Sequence, residues 1–314
     1  MRYNRRKFLK QGGAGIAGLS AMTLMPSIIN PAMGNSPNEL FFKISLAEWS
    51  LHRTLFAGKL SNLDFPAKAK NDFGIGAVEY VNQFFKDKAE DEAYLKELKT
   101  RTDDMGVKNV LIMIDAEGHL AEADDKKRSK AIENHYKWVE AAKFLGCHSI
   151  RVNAYATSKD ADEAKSAAVD GLSRLTEFAQ PYGIGIIVEN HGGFSSNGQW
   201  LSDVMKQVNK PECGTLPDFG NFCIKRGLKG CSEEYDRYQG VKELMPFAKG
   251  VSAKTGAFDD DGNAVDTDYY KMLKIVKDAG YTGYIGIESG SATDEDKAIR
   301  QTKALLEKAG KEVS

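Results

Sequence analysis

The sequence predicts an α/β fold, a single eightfold βα barrel, and three observations carry that expectation. Short apolar, β-branched runs alternate with amphipathic helical segments; several helices stop at a glycine directly before a strand; and eight strand candidates recur every 30 to 40 residues or so, as a barrel requires. The chain has 314 residues, 42% of them hydrophobic and 10% aromatic. This is the composition of a globular protein with a full core, which excludes a disordered, collagenous or disulfide-stapled chain. Two ordinary domains would also fit the length, but about 250 residues suffice for one barrel and no linker interrupts the repeat. An open, doubly wound sheet is the competing arrangement; no Gly-x-Gly-x-x-Gly turn follows the first strand candidate, so the usual nucleotide signature of that fold is missing.

Taken in order, strands are expected at 42–48, 74–80, 107–114, 148–153, 184–189, 213–218, 248–254 and 284–288. Four of them follow a helix-ending glycine, namely Gly106, Gly146, Gly183 and Gly280, a residue that accepts the left-handed conformation closing a helix. Helices are expected at 63–73, 88–104, 160–180, 198–208, 232–246, 267–279 and 293–309. A longer one starts near Asp124 and stops at Gly146, with Ile132, Tyr136, Val139 and Ala142 spaced to share the face that covers the sheet.

The amino terminus reads differently. Residues 1–34 hold Arg2, Arg5, Arg6, Lys7 and Lys10 and no acid, and a Gly/Ala-rich, weakly apolar stretch follows. Asn4-Arg5-Arg6-Lys7-Phe8-Leu9-Lys10 resembles a twin-arginine export signal, with small residues placing cleavage after Gly34. The expectation is an exported, periplasmic protein handled by the twin-arginine machinery. Pro26 and Pro31 argue against a stable membrane anchor. That route exports folded proteins, often with a cofactor already loaded. Of 43 basic and 44 acidic residues overall, 38 and 44 remain beyond Gly34, a net −6 that disfavours nucleic-acid binding. Cys147, Cys213, Cys223 and Cys231 show no paired zinc spacing; Cys223 and Cys231 are free to oxidise after export.

Side chains at the carboxyl ends of barrel strands face the active site. Ile186-Ile187-Val188-Glu189, Thr215-Leu216-Pro217-Asp218 and Tyr284-Ile285-Gly286-Ile287-Glu288 each end in an acid, so three carboxylates converge on one mouth. Their mutual repulsion is relieved by a divalent cation, and an oxygen-rich site favours Mg²⁺ or Mn²⁺ over zinc. Further mouth candidates for binding a substrate are Trp49 and His52 after the first strand, with Glu48, then Glu79, Asp115, Asn153 with Arg151, His191 and Asn221. A sugar site needs such hydrogen-bonding groups together with an aromatic plane. His148 begins its strand and is expected at the opposite face; His135, in a charged helix, is expected on the surface.

Val188-Glu189-Asn190-His191-Gly192-Gly193, Asp218-Phe219-Gly220-Asn221-Phe222, Val251-Ser252-Ala253-Lys254 and Gly286-Ile287-Glu288 resemble, in order and spacing, the sugar isomerase/epimerase superfamily with the xylose-isomerase-like TIM barrel. Phe73 to Tyr80 and Leu145 to Asn153 extend the likeness over nearly all of residues 35–314. The resemblance implies one divalent metal held by Glu189, Asp218 and Glu288. A histidine usually stands on the seventh strand two residues before a lysine, and here that position is Ser252 while Lys254 is kept. Either the metal keeps fewer ligands, with His191 or water filling in, or Lys254 replaces it. Three clustered acids exceed what one ammonium compensates, which favours the metal.

The chemistry implied is a sugar or keto-sugar isomerase/epimerase working through a metal-stabilised enediolate. Glu189 and Glu288 would move protons and Lys254 would stabilise the oxyanion. A lyase of oxidised glycosides, expelling a leaving group from the same intermediate, and a metal-free carbohydrate-binding barrel remain the alternatives. No phosphate-cradling motif is visible.

Overall fold

The computed structural model describes residues 39–290 and 294–314; the expected export segment lies outside them. Eight parallel strands form one sheet: β1 (Lys43–Ala47), β2 (Ala77–Val81), β3 (Lys108–Met113), β4 (Ser149–Asn153), β5 (Gly185–Glu189), β6 (Cys213–Leu216), β9 (Val251–Thr255) and β10 (Tyr284–Ser289). Their order is β6-β5-β4-β3-β2-β1-β10-β9. Parallel bridges from Thr215 to Ala248 and from Asp218 to Ser252 join the two outer strands, so the sheet curls into a nearly closed barrel.

The covering helices are α1 (His52–Phe56), α2 (Phe65–Phe73), α3 (Glu92–Met105), α4 (Asp125–Leu145), α5 (Ala161–Ala179), α6 (Gly198–Val208), α7 (Arg237–Leu244), α8 (Tyr269–Asp278) and α9 (Glu295–Val313). Local chemistry sets their ends. Asp124 caps α4 by accepting the Lys127 N–H, and Gly146 closes it at φ 77°, a conformation costly for a side chain with a Cβ. Ile132, Val139 and Ala142 are buried on the face that α4 turns to the sheet. None of the described helices is long and apolar enough to cross a membrane.

Two apolar layers result. One lies between helices and sheet; the other fills the barrel with inward-pointing residues such as Ala47, Val81, Leu111, Met113, Ile187 and Leu216. Helix α5 is held close to the loop after β3: a Cβ at Gly171 would lie 2.0 Å from the Leu120 carbonyl oxygen. Gly171→Ala is therefore expected to destabilise by roughly 1–3 kcal/mol through overpacking, although alanine is the better helix former. A urea melt measures it, and a gain in stability would contradict the packing.

Two expectations need correction. The span 232–246 is not one helix: Cys223–Gly227 and Gly230–Glu234 form an antiparallel hairpin, β7 and β8, closed by a Cys223–Cys231 disulfide, and α7 starts only at Arg237. The hairpin's outer residues are exposed, so it carries no apolar alternation for a sequence reading to detect. His135 is buried rather than on the surface, its Nδ1 2.7 Å from the Ala131 carbonyl oxygen. The charged residues around it on α4 face outward while His135 points inward.

Candidate active site

The mouth forms where inward-pointing positions reach the carboxyl ends of the strands. Glu189 ends β5, Asp218 follows β6 by two residues and Glu288 lies near the end of β10. One carboxylate oxygen from each lies within 4.8 Å of the others, and all three side chains are buried. Ser252 donates to Asp218 Oδ2 at 2.6 Å. Asp218 Oδ1 accepts the backbone N–H groups of Gly220 and Asn221, both at 2.8 Å. The serine in place of the usual histidine thus orients a carboxylate.

Two cations enter the cluster. Lys254, on the same face of β9 as Ser252, forms an ion pair with Glu288 Oε1. Arg151 on β4 sits between Asp115, with Nη1 2.9 Å from Oδ1, and Glu189, with Nε 2.8 Å from Oε2. The second contact is an approach of charges without hydrogen-bond alignment, so Glu189 Oε2 stays buried with no hydrogen-bond partner. Asn221 Nδ2 donates to the other oxygen, Oε1, at 2.9 Å. Burial pushes Glu189 up to about 7 against the pull of Arg151, and burial likewise pushes Asp218 to about 7 against that of Lys254. Burial would raise Glu288 too, but Lys254 holds it below the ordinary carboxylate range.

These residues fit a divalent ion. They offer three hard oxygen donors within reach of one another, one of them an orphaned buried oxygen, and two cations do not prevent Glu189 and Asp218 from resisting ionisation.

Glu288 reaches a cavity of about 260 Å³, which Asp115, Arg151, Asn153 and His191 also line with polar groups and Trp49 with an aromatic one. Burial disfavours ionised Asp115, yet Arg151 and Asn153 hold it at about 2. Asn153 Nδ2 donates to Asp115 Oδ1 at 2.7 Å, while Asn153 Oδ1 is buried without a partner among the described residues. His191 faces the cavity with Nδ1 2.6 Å from the Tyr155 hydroxyl oxygen. Burial and the Arg151 charge lower its pKa to about 4, leaving it neutral at physiological pH.

The depressed Asp115 carboxyl makes a stability prediction. Its folded pKa of about 2 lies below the ordinary 3.8, so its contribution is present above pH 4 and is lost as pH falls towards 2. Asp115→Asn is expected to cost on the order of 2 kcal/mol at pH 7 and to flatten the acid limb of the stability profile. Equal stability of variant and parent at pH 7 would refute the pairing.

Other expected binding residues stand further back. His52 stacks on Trp49 with ring centroids 4.8 Å apart and does not line the cavity. Asn221 orients Glu189. Glu79 is 1% exposed inside the barrel and accepts a hydrogen bond from Ser45 at 2.5 Å. A Cβ on Gly286 would come within 2.5 Å of its Oε2, so the glycine makes room for it. Burial pushes Glu79 up to about 7. Glu48 is also buried, accepting the Val81 N–H at 2.8 Å. His148 is exposed at the start of β4. Tyr155, His119, Gln83 and His135 also line the cavity; none of the first three stands out in the sequence, and His135 reaches it from α4 because it is buried rather than on the surface.

The family described as xylose isomerase-like TIM barrel matches residues 67–309. Among solved structures, the IOLI protein with a bound zinc atom superposes with a TM-score of 0.67 at 18% identity, covering 87% of this chain and 99% of that one. The 3-keto-D-glucoside 4-epimerase YcjR from E. coli gives 0.61 at 14% identity, covering 86% and 100%. A D-psicose 3-epimerase in the presence of D-fructose gives 0.62 at 15%, covering 84% and 98%. No curated protein sequence matches the chain. The structural likenesses establish the fold, and the family match spans most of the barrel: the chain belongs to the xylose isomerase-like TIM barrel family.

Proposed function

We propose that the protein is a sugar or keto-sugar epimerase or isomerase acting by proton transfer at a carbon beside a carbonyl. The observation that carries the reading is the buried Glu189, Asp218 and Glu288 cluster, with Lys254 and Arg151 against it and with Glu288 reaching a polar cavity. Glu189, Asp218 and Glu288 would hold a divalent ion, Mn²⁺ or Mg²⁺ by the hardness of their oxygens. Such an ion supplies positive charge that acidifies the carbon beside a bound carbonyl.

The chain's own groups do the rest. Glu189 and Glu288 exchange the proton of that carbon, and return of a proton to the opposite face inverts it. Lys254 places an ammonium where negative charge develops on the substrate oxygen. Arg151 holds Asp115 and Glu189 in position, and Asp115, Asn153 and His191 meet substrate hydroxyls. Trp49 closes the apolar side. The zinc named with one structural neighbour and the keto-glucoside named with another support this assignment.

Elemental analysis of the full chain purified without chelator, then incubation with keto-sugars in D₂O followed by NMR, tests it. Near-stoichiometric metal with deuterium entering beside the carbonyl is the expected result. Deuterium exchange accompanied by loss of a glycosidic leaving group would instead identify a lyase. No metal after reconstitution and no exchange would overturn the assignment.

We further propose that residues 1–34 direct export and are removed, on their charge pattern. Amino-terminal sequencing of periplasmic protein should begin at Asn35. A cytoplasmic protein starting at Met1 would refute it.

A further inference from the structure

Aromatic rings extend outward from the cavity along the rim formed by the loops after β1 and β2. Trp49 lines the cavity; Phe84 lies 6.2 Å from it, centroid to centroid, and Phe56 lies 5.0 Å from Phe84 and 6.1 Å from Trp49. Neither phenylalanine lines the cavity. Phe84 is half-buried, while Phe56, the last residue of α1, is 61% exposed. Leu228 and Val265 are the other large apolar side chains so exposed among the described residues, and neither belongs to an aromatic cluster. The core does not need Phe56 there, since Leu55 beside it supplies the buried contact of this short helix.

Size gives the rim a ligand. The cavity, at about 260 Å³, falls below the roughly 300–1,000 Å³ of pockets that enclose drug-sized ligands. It has room for a single sugar ring. A substituent leaving that ring on the Trp49 side would pass across Phe84 and Phe56. Aromatic faces of this kind receive the flat, apolar C–H face of a pyranose.

We infer that Phe56 and Phe84, continuing from Trp49, form a second subsite for a glycosidically linked sugar ring, so that the substrate is a glycoside rather than a free monosaccharide. This deepens the proposed function and rests on it only for the identity of the ring in the cavity. The first ring sits against Asp115, Arg151, Asn153 and His191, and the second packs on the rim.

Calorimetry on the metal-replete full chain with methyl β-glucoside and methyl β-cellobioside tests the inference. Neither probe has a free carbonyl, so binding is read without turnover. Failure of the epimerase assignment would appear in the D₂O experiment and leave this comparison intact. The two-ring probe is expected to bind more tightly by roughly three- to tenfold, the range for one aromatic stacking contact. Phe56→Ala and Phe84→Ala should each reduce that affinity ratio towards one. Removing the exposed Phe56 ring disturbs little packing, and its melting temperature provides the folding control. Equal binding of the two probes to the parent protein, an unchanged ratio in Phe56→Ala, or no binding of either probe would overturn the subsite.

Discussion

Glu189→Ala is expected to strip the divalent ion from the protein and to lower turnover by roughly a hundred- to ten-thousandfold, the range for loss of a positioned proton-transfer group. Each remaining ligand already has strong partners. Asp218 accepts from Ser252 and two backbone N–H groups, and Glu288 is paired with Lys254. Glu189 Oε2 is the buried oxygen of the three without a hydrogen bond, so it has most to gain from a cation and its removal should weaken metal retention most. The fold should survive, because Arg151 keeps its ion pair with Asp115. Metal per chain after gel filtration, with a melting curve as control, measures the effect. A folded variant that retains as much metal as the parent would remove Glu189 from the ligand set.

Lys254→Met separates two roles for the one lysine. In the metal-loaded protein, losing an oxyanion-stabilising charge should lower kcat by roughly a hundred- to a thousandfold while metal per chain is retained. With chelator present, Glu288 is left buried without its partner, and breaking such a pair costs about 3–5 kcal/mol. The variant should therefore melt well below the parent in chelator and close to it with metal. A large fall in melting temperature that metal does not reverse would make Lys254 the resident cation. The structure gives the lysine reason for either role, since burial opposes its charge while Glu288, Asp218 and Glu189 raise its pKa.

Most of the barrel was legible because its signals are local. Each of the eight expected strands overlaps one of the parallel strands, with differences confined to a few end residues. Strand β9 shows why: Ala248, Lys249 and Gly250 precede the pairing register, which begins at Val251 opposite Ile285. The hairpin escaped notice for the opposite reason. Its stability comes from the disulfide and a short turn rather than from a buried face, and the polar Ser232-Glu233-Glu234 run resembles the start of a helix.

The site was legible in part. Carboxylates ending apolar strands stand out, and Glu189, Asp218 and Glu288 do come together. Asn221, expected to bind substrate, instead donates to Glu189, and Glu79 lies in the barrel interior. An acid at a strand end and an acid one layer lower carry the same local signal, so only the Ser45 and Gly286 neighbours place Glu79 below the cavity floor.

By itself, the sequence determined the repeat, the helix stops and which strands carry acids, because periodicity, caps and strand-end position act over a few residues. The tertiary structure alone decided the partners. Ser252 meets Asp218 across 34 residues, and Ser50 donates to the Ile287 carbonyl across 237. Such pairs form only when the barrel closes and brings the ends of its strands together. Closure also decides which buried charge each cation faces, and so the protonation of every acid in the mouth.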